Sequence, residues 1–291
     1  MHVINYGGIV MEMRQNIVFV GAGSMAEAMI SGMLQKELFL PNQISVINRS
    51  NYARLEGLNK EYGVTISQNK QETIENAGVI LLAIKPKDVA EAVLAIKDHV
   101  NENQLIISVL AGVSTTTITD LLNKEVAVVR AMPNTSATIG KSATALSVGM
   151  YANEDHLLIA RQLFETIGIV TTVAEKDLHA VTGLSGSGPA YVYYLVEAME
   201  KAADDIGLEK GIAKELILQT IIGAAEMLKN SPKPPATLRK EVTSPGGTTE
   251  AGIKVLEQFN YQQAMVSCIK RATTRSAELG EAMLQSVSEK N

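Results

Sequence analysis

Gly21-Ala22-Gly23-Ser24-Met25-Ala26 stands directly after the strand-forming run NIVFV and directly before a helix-forming stretch. The spacing is G-x-G-x-x-G/A, in the strand, turn and helix context that gives the pattern its meaning. Gly21 permits a tight turn, Gly23 leaves room for a pyrophosphate against the backbone, and Ala26 is small enough for helix and strand to approach. Ser24 and Met25 belong to the first helical turn, whose unpaired N–H groups and partial positive charge suit an anion. The chemistry is that of dinucleotide binding. The plain alternative is a strand-to-helix turn with no ligand.

Which dinucleotide is read at the end of the second strand, where an acidic residue would bond the ribose hydroxyls of NAD. Ile47 is followed instead by Asn48-Arg49-Ser50. No carboxylate repels a 2′-phosphate, Arg49 can pair with it, and Asn48 and Ser50 can donate hydrogen bonds, so NADPH is favoured over NADH. The competing reading makes Asn48 and Ser50 a turn and a helix cap and Arg49 a solvated charge. Three further loops follow strand ends: Ala83-Ile84-Lys85-Pro86, Ala111-Gly112-Val113 and Met132-Pro133-Asn134-Thr135. In an open parallel sheet such loops line the ligand crevice, so Ala83, Lys85, Pro86, Ala111 and Gly112 are expected at the cofactor.

Two small, polar runs lie in the second half: Gly186-Ser187-Gly188-Pro189, and Thr243-Ser244-Pro245-Gly246-Gly247-Thr248-Thr249. A helix start with adjacent glycines exposes several backbone N–H donors and the hydroxyls add more, which suits a small carboxylate where no arginine is at hand. The second run is therefore a candidate carboxylate cradle. A flexible linker between helices is the alternative.

The elements that must position these residues follow from pattern. Short, apolar, β-branched runs alternate with helical stretches: Ile17 to Val20, Ile44 to Ile47, Val64 to Ile66, Val79 to Ala83, Leu105 to Val109 and Ala127 to Arg130, with Ala143 to Val148 and Val170 to Val173 added later. Strands apolar throughout belong in a sheet covered on both faces, so the class is α/β, a Rossmann-like, doubly wound, mostly parallel sheet. After Lys176 the runs stop and helices follow, giving an N-terminal extension over 1–14, an NAD(P)-binding domain over 15–175 and an all-helical domain over 176–291. One helix is expected from about Ala190 to Ile206, with Pro189 as its first residue and Gly207 as its stop. Another, Lys214 to Lys229, is too apolar for one wet face and is expected to be buried all round. A second subunit supplying that cover through a two-fold is favoured over a helix sandwiched inside its own chain. The last helix, near Gln262 to Gln285, carries one apolar stripe.

Composition narrows the partners. Lys and Arg total 26 against 31 Asp and Glu, a formal charge of −5, which argues against nucleic acid. Cys268 is the single cysteine, and neither Cys-x-x-Cys nor His-x-x-x-His occurs, so disulfides and a metal site lack support and a cytoplasmic location is expected. No apolar run approaches the ~18 residues that span a bilayer. His2, His99, His156 and His179 fall outside every motif, so no histidine acid or base is indicated.

VTSPGGTTEAGI (Val242 to Ile253) resembles the signature of pyrroline-5-carboxylate reductases, and GAGSMAEA, AIKP, RAMPNT and GSGPAY are similar to that family's other segments, in the same order. The resemblance covers Asn16 to about Leu284. It implies NAD(P)H-dependent reduction of 1-pyrroline-5-carboxylate to L-proline. The implied assembly is a homodimer with interlocked helical domains, in some members a ring of dimers, and a site between one subunit's cofactor domain and helical segments that include its partner's. By resemblance Thr249 hydrogen-bonds the ring nitrogen, Gly246, Gly247 and Thr248 hold the carboxylate, and Ser187, Ser244 and Pro245 belong to the same site. Asn69 matches an asparagine reaching the adenosine, and Glu175 lies where some members have a glutamate near substrate. Where many relatives carry a His-Pro pair, this chain reads Pro234-Pro235-Ala236-Thr237-Leu238-Arg239-Lys240, which puts that loop's shape and the assembly state in doubt. Two rivals remain open. A 3-hydroxyacid dehydrogenase needs a catalytic lysine on the long helix, where only Lys201 occurs; an NADP sensor without turnover has no need of the carboxylate cradle.

Overall fold

A computed structural model describes residues 16–67 and 69–288; the extension expected over 1–14 lies outside them. Strand β1 (Asn16–Val20) leads through helix α1 (Ser24–Gln35) to β2 (Ile44–Ile47), α2 (Tyr52–Tyr62) and β3 (Thr65–Ile66). Then come α3 (Lys70–Glu75), β4 (Ala77–Leu82), α4 (Val89–Leu94), β5 (Leu105–Ser108), α5 (Thr115–Leu122) and β6 (Ala127–Met132). Strand β7 (Ser142–Val148), α6 (Glu154–Glu165) and β8 (Gly168–Thr172) complete an eight-stranded sheet of order β3-β2-β1-β4-β5-β6-β7-β8. Every neighbouring pair is parallel except β6 and β7, where Val129 faces Val148 in an antiparallel register.

Alternation of side chains along a strand explains why the runs are apolar throughout. In β1, Ile17 and Phe19 enter one core with Met29, Ile30 and Met33 of α1 and Phe164 of α6. Val18 and Val20 enter the other, with Val89 and Val93 of α4 and Ile118 of α5. Each such side chain, fully removed from water, contributes roughly 1.5–3 kcal/mol. A polar residue on either face would forfeit that, so the helices on both sides and the strand composition require one another.

Beyond β8 the described chain is helical: α7 (Leu178–Val181), α8 (Gly188–Asp205), α9 (Lys210–Asn230), α10 (Pro235–Glu241), α11 (Thr248–Gln258) and α12 (Tyr261–Ser288). Two compact units result. One comprises the described residues up to Ser187 together with those from Ala272 onward, and the other is Gly188–Arg271. The sheet unit thus takes back the second half of α12. There a Cβ on Gly112 would come within 3.2 Å of Gly280, and the His179 ring Nδ1 lies 3.0 Å from the Ser276 hydroxyl.

The helical unit has a small core of Ala203, Ala213 and Ile217. Helix α9, expected to be buried all round, is not covered by its own chain. Only Ala213 and Ile217 are buried, while Leu216, Leu218, Ile222, Met227 and Leu228 stand exposed. The alternative of a helix sandwiched inside its own chain is therefore overturned. Helix α8 starts one residue ahead of Pro189 and ends two before Gly207.

Ala26 is fully buried on α1, in the same core as Ile17 and Phe19. Ala26→Leu is expected to lower unfolding stability by about 1–3 kcal/mol through overpacking, read as a reduced urea midpoint with an unchanged slope.

Candidate functional site

Strand β1 lies between β2 and β4, the point at which the chain, having built one side of the sheet, crosses to build the other. In open α/β sheets ligands bind outside the strand ends at such a crossing. A cavity of ≈ 770 Å³ lies there, in the roughly 300–1,000 Å³ range of small-molecule sites. Gly21, Gly23, Ser24 and Met25 line it from the β1–α1 turn, Asn48, Arg49 and Ser50 from the end of β2, and Ala83 and Lys85 from the end of β4.

Gly21 adopts a φ of 111°. Its N–H donates to the Ile47 carbonyl at 2.9 Å, and a Cβ in its place would lie 2.4 Å from the Ala83 carbonyl oxygen. One residue without a side chain therefore lets the ends of β1, β2 and β4 converge. Gly23 is different: a Cβ there would meet only the Ala83 oxygen, at 3.9 Å. The packing leaves room for a side chain at 23, so the fold itself does not require glycine there. Gly23 is also the N-cap of α1 and offers no side-chain cap, so the first-turn N–H donors face an incoming anion without a competing side chain. Those features fit a dinucleotide pyrophosphate.

At the end of β2 the Asn48 side-chain oxygen accepts from the Arg49 N–H at 2.7 Å. The cap of α2 is Asn51, which accepts from the Arg54 N–H at 3.0 Å, so Ser50 is left to face the cavity. Arg49 is exposed and its Nη1 pairs with Glu91 of α4. The pairing raises the Arg49 pKa, chiefly through the hydrogen bond that Arg49 donates to Glu91 and then through the Glu91 charge.

Five predicted cofactor residues do not line the cavity. Ala26 is on the buried face of α1, turned into the core. Asn69 caps α3, accepting from the Glu72 N–H at 3.3 Å, and its neighbour Lys70 reaches the cavity instead. Pro86 opens the short helical turn Pro86–Asp88, and Gly112 abuts Gly280, carrying Ala111 with it. Sequence reasoning missed Arg54, Lys87, Asp88 and Glu91, which also line the cavity. All four sit within about a turn of a helix start that follows a strand-end loop, a position that charge alone did not single out. Arg54 is held by its own chain, Nε donating to the Ala22 carbonyl at 2.9 Å while Nη2 pairs with Glu27.

Glu175 has both carboxylate oxygens engaged. Oε1 accepts from the Thr115 N–H at 2.8 Å and Oε2 from the Thr115 hydroxyl at 2.6 Å, and Arg130 Nη1 approaches Oε1 at 3.3 Å. Arg130 is only 2% exposed, and burial pushes its pKa down against the pull of Glu175. Ser187 closes a wide turn, its N–H donating to the Thr182 carbonyl at 2.9 Å.

In the helical unit, Ser244, Pro245, Gly246 and Gly247 bend into the start of α11. Gly246 holds a φ of 72°, and the Gly247 N–H donates to the Ser244 carbonyl at 3.0 Å. Gly247 is the N-cap of α11 without a side-chain cap, and Thr248 and Thr249, its first two residues, are exposed. The Gly246 N–H is engaged by the Glu250 carboxylate at 2.7 Å. The bend is thus already a carboxylate acceptor, for a side chain of its own helix.

Residues 175–279 match the family described as pyrroline-5-carboxylate reductase dimerisation, and residues 16–112 that described as NADP oxidoreductase coenzyme F420-dependent. The chain is 50% identical to pyrroline-5-carboxylate reductase 2 of Bacillus subtilis (strain 168), over 92% of this chain and 96% of that protein. It is 34% identical to pyrroline-5-carboxylate reductase of Arabidopsis thaliana, over 91% of this chain and 95% of the plant protein. Among solved structures, a pyrroline-5-carboxylate reductase from Coxiella burnetii aligns with a TM-score of 0.84 at 37% identity, covering 91% of this chain and 98% of the other. The Plasmodium falciparum pyrroline carboxylate reductase with NADP bound aligns with a TM-score of 0.83 at 26% identity, covering 92% and 98%.

Burial, and next the Arg130 charge, hold the His179 imidazole below its ordinary value of 6.5. The unfolded chain therefore binds more protons than the folded one once the pH falls through 6.5, and stability is lost on the acid side down to the folded value. His156, also lowered by burial, acts in the same sense. Melting temperature is expected to fall from about pH 8 to about pH 5.5, and His179→Gln is expected to flatten that fall without abolishing it, as read by thermal denaturation across the range.

Proposed function

The chain belongs to the pyrroline-5-carboxylate reductase family, and we propose on that premise that it reduces 1-pyrroline-5-carboxylate to L-proline with NADPH. The observation that carries the reading is the cavity at the β1–β4 crossing, where the Gly21–Met25 turn and the acid-free triplet Asn48-Arg49-Ser50 meet. When bound, the cofactor supplies the hydride that reduces the imine carbon.

The residues do the rest. Gly21, Gly23, Ser24 and Met25 hold the pyrophosphate on the α1 N-terminus, with Ala26 letting that helix approach the sheet. Arg49, with Asn48 and Ser50, takes the 2′-phosphate, and Asn69 stands on the adenosine side. Ala83, Lys85, Pro86, Ala111 and Gly112 shape the loops around the nicotinamide. The substrate carboxylate rests on the Gly246 and Gly247 backbone with Thr248, in a bend shaped by Ser244 and Pro245; Ser187 and Glu175 are assigned to the substrate on the family resemblance. The ring nitrogen would have to carry a proton taken from solvent before reduction, so that the electron pair of the C=N bond ends as the lone pair of a neutral amine. The Thr249 hydroxyl hydrogen-bonds that nitrogen and fixes the ring so that the reacting carbon faces the hydride.

Residues 15–175 carry the nucleotide-binding role and 176–291 the substrate and subunit role. A second copy of the chain is the natural cover for the apolar face of α9, giving a homodimer through the helical portion, and a ring of such dimers is the larger form. A chain with one cysteine is at home in the cytoplasm.

Purified protein is expected to oxidise NADPH on addition of pyrroline-5-carboxylate, faster than NADH; turnover confined to open-chain hydroxy or keto acids would refute the assignment. Thr249→Ala is expected to lower kcat by roughly one to three orders of magnitude while the NADPH Kd stays within about twofold, which fluorescence titration reads directly. Arg49→Ala is expected to weaken NADPH by about tenfold or more and to spare NADH.

A further inference from the structure

We propose that Glu91 sets how strongly this reductase prefers NADPH, by competing with the cofactor's 2′-phosphate for Arg49. The inference rests on the reading of Arg49 given above. The triplet after β2 has no acid of its own, yet an acid reaches it from α4, 42 residues further along the chain. Arg49 and Glu91 line the same cavity, with Asp88 beside them.

The pair has little to do for the fold. Its side chains are 68% and 61% exposed, and ion pairs in that setting add little to stability. Arg54, the other guanidinium lining the cavity, is bound to the Ala22 carbonyl and to Glu27. Arg49 is the one that a ligand can take over by displacing an exposed side chain.

A phosphate dianion presents several oxygens to the guanidinium fork and outcompetes a single carboxylate oxygen. The displaced Glu91 charge stays in the cavity wall, where it and Asp88 repel the phosphate. NADH has no 2′-phosphate and leaves the pair as it is. The Glu91 charge is therefore felt by one cofactor and not the other. At a separation of several ångströms, with the screening of an exposed site, the discrimination is worth about three- to tenfold in affinity.

The test is kcat/KM for NADPH and for NADH with pyrroline-5-carboxylate, in wild type, Glu91→Gln and Arg49→Ala, at low and high salt. Gln keeps the size and helix preference of Glu and removes only the charge. The expected result is a rise of about three- to tenfold in the NADPH-to-NADH ratio of Glu91→Gln at low salt, shrinking as salt is added. An unchanged ratio overturns the proposal. A lowered ratio overturns it too, because Glu91 would then be holding Arg49 ready for the phosphate. Arg49→Ala separates the two layers: if it penalises both cofactors equally, the 2′-phosphate reading itself fails. If it penalises NADPH alone while Glu91→Gln changes nothing, only the competition fails.

Discussion

The carbonyl of Ala83 and the bare α-carbon of Gly21 meet where β1 and β4 run side by side, and the ligand-binding face of the sheet depends on that meeting. A Cβ at position 21 would stand 2.4 Å from the carbonyl oxygen, too near for any packing adjustment to relieve cheaply. The same residue donates its N–H to Ile47 at the end of β2. Three strand ends are thus gathered at one point, and the cavity opens above them with the first turn of α1 on its floor. The geometry of the Gly21 turn is a property of the sheet crossing and not of a loop free to rearrange.

Much of this could be read from residue order, because the signals were local. The sheet strands emerged from apolar runs within a residue or two of their true ends, and Gly21 to Ala26 declared their turn by spacing. What could not be read depends on distant partners. The antiparallel sense of β7 leaves no mark in Ser142–Val148, since strand direction follows from where the chain re-enters the sheet. Helix α3 is only six residues long, too short to show a period, so Asn69 as its cap went unseen. The carboxylate of Glu91 comes to Arg49 from another helix, and that of Glu175 to Thr115 from 60 residues away. Nothing nearby in sequence announces either. The apolar excess of α9 was visible, but what covers it is not a matter for one chain's sequence.

Two glutamates share a habit across the two units. Glu91 rests on the Arg49 guanidinium and Glu250 on the Gly246 N–H, each an internal acid on a donor suited to an external anion. Glu209 does the same at the start of α9, accepting from Gly211 and Ile212, where no ligand is invoked. The common cause is proximity: each acid sits within reach of an exposed donor, and such contacts hold weakly because water can replace them. At a binding site the same proximity means that a ligand is exchanged for a side chain rather than added to an open surface.

The second half of α12 belongs to the sheet unit, with Gly280 against Gly112 and Ser276 beside His179. These residues leave the ribosome after everything else the sheet unit contains. During synthesis the nucleotide-binding half must therefore wait, its strands assembled but the Gly112 corner still wet, until the whole helical unit has been made.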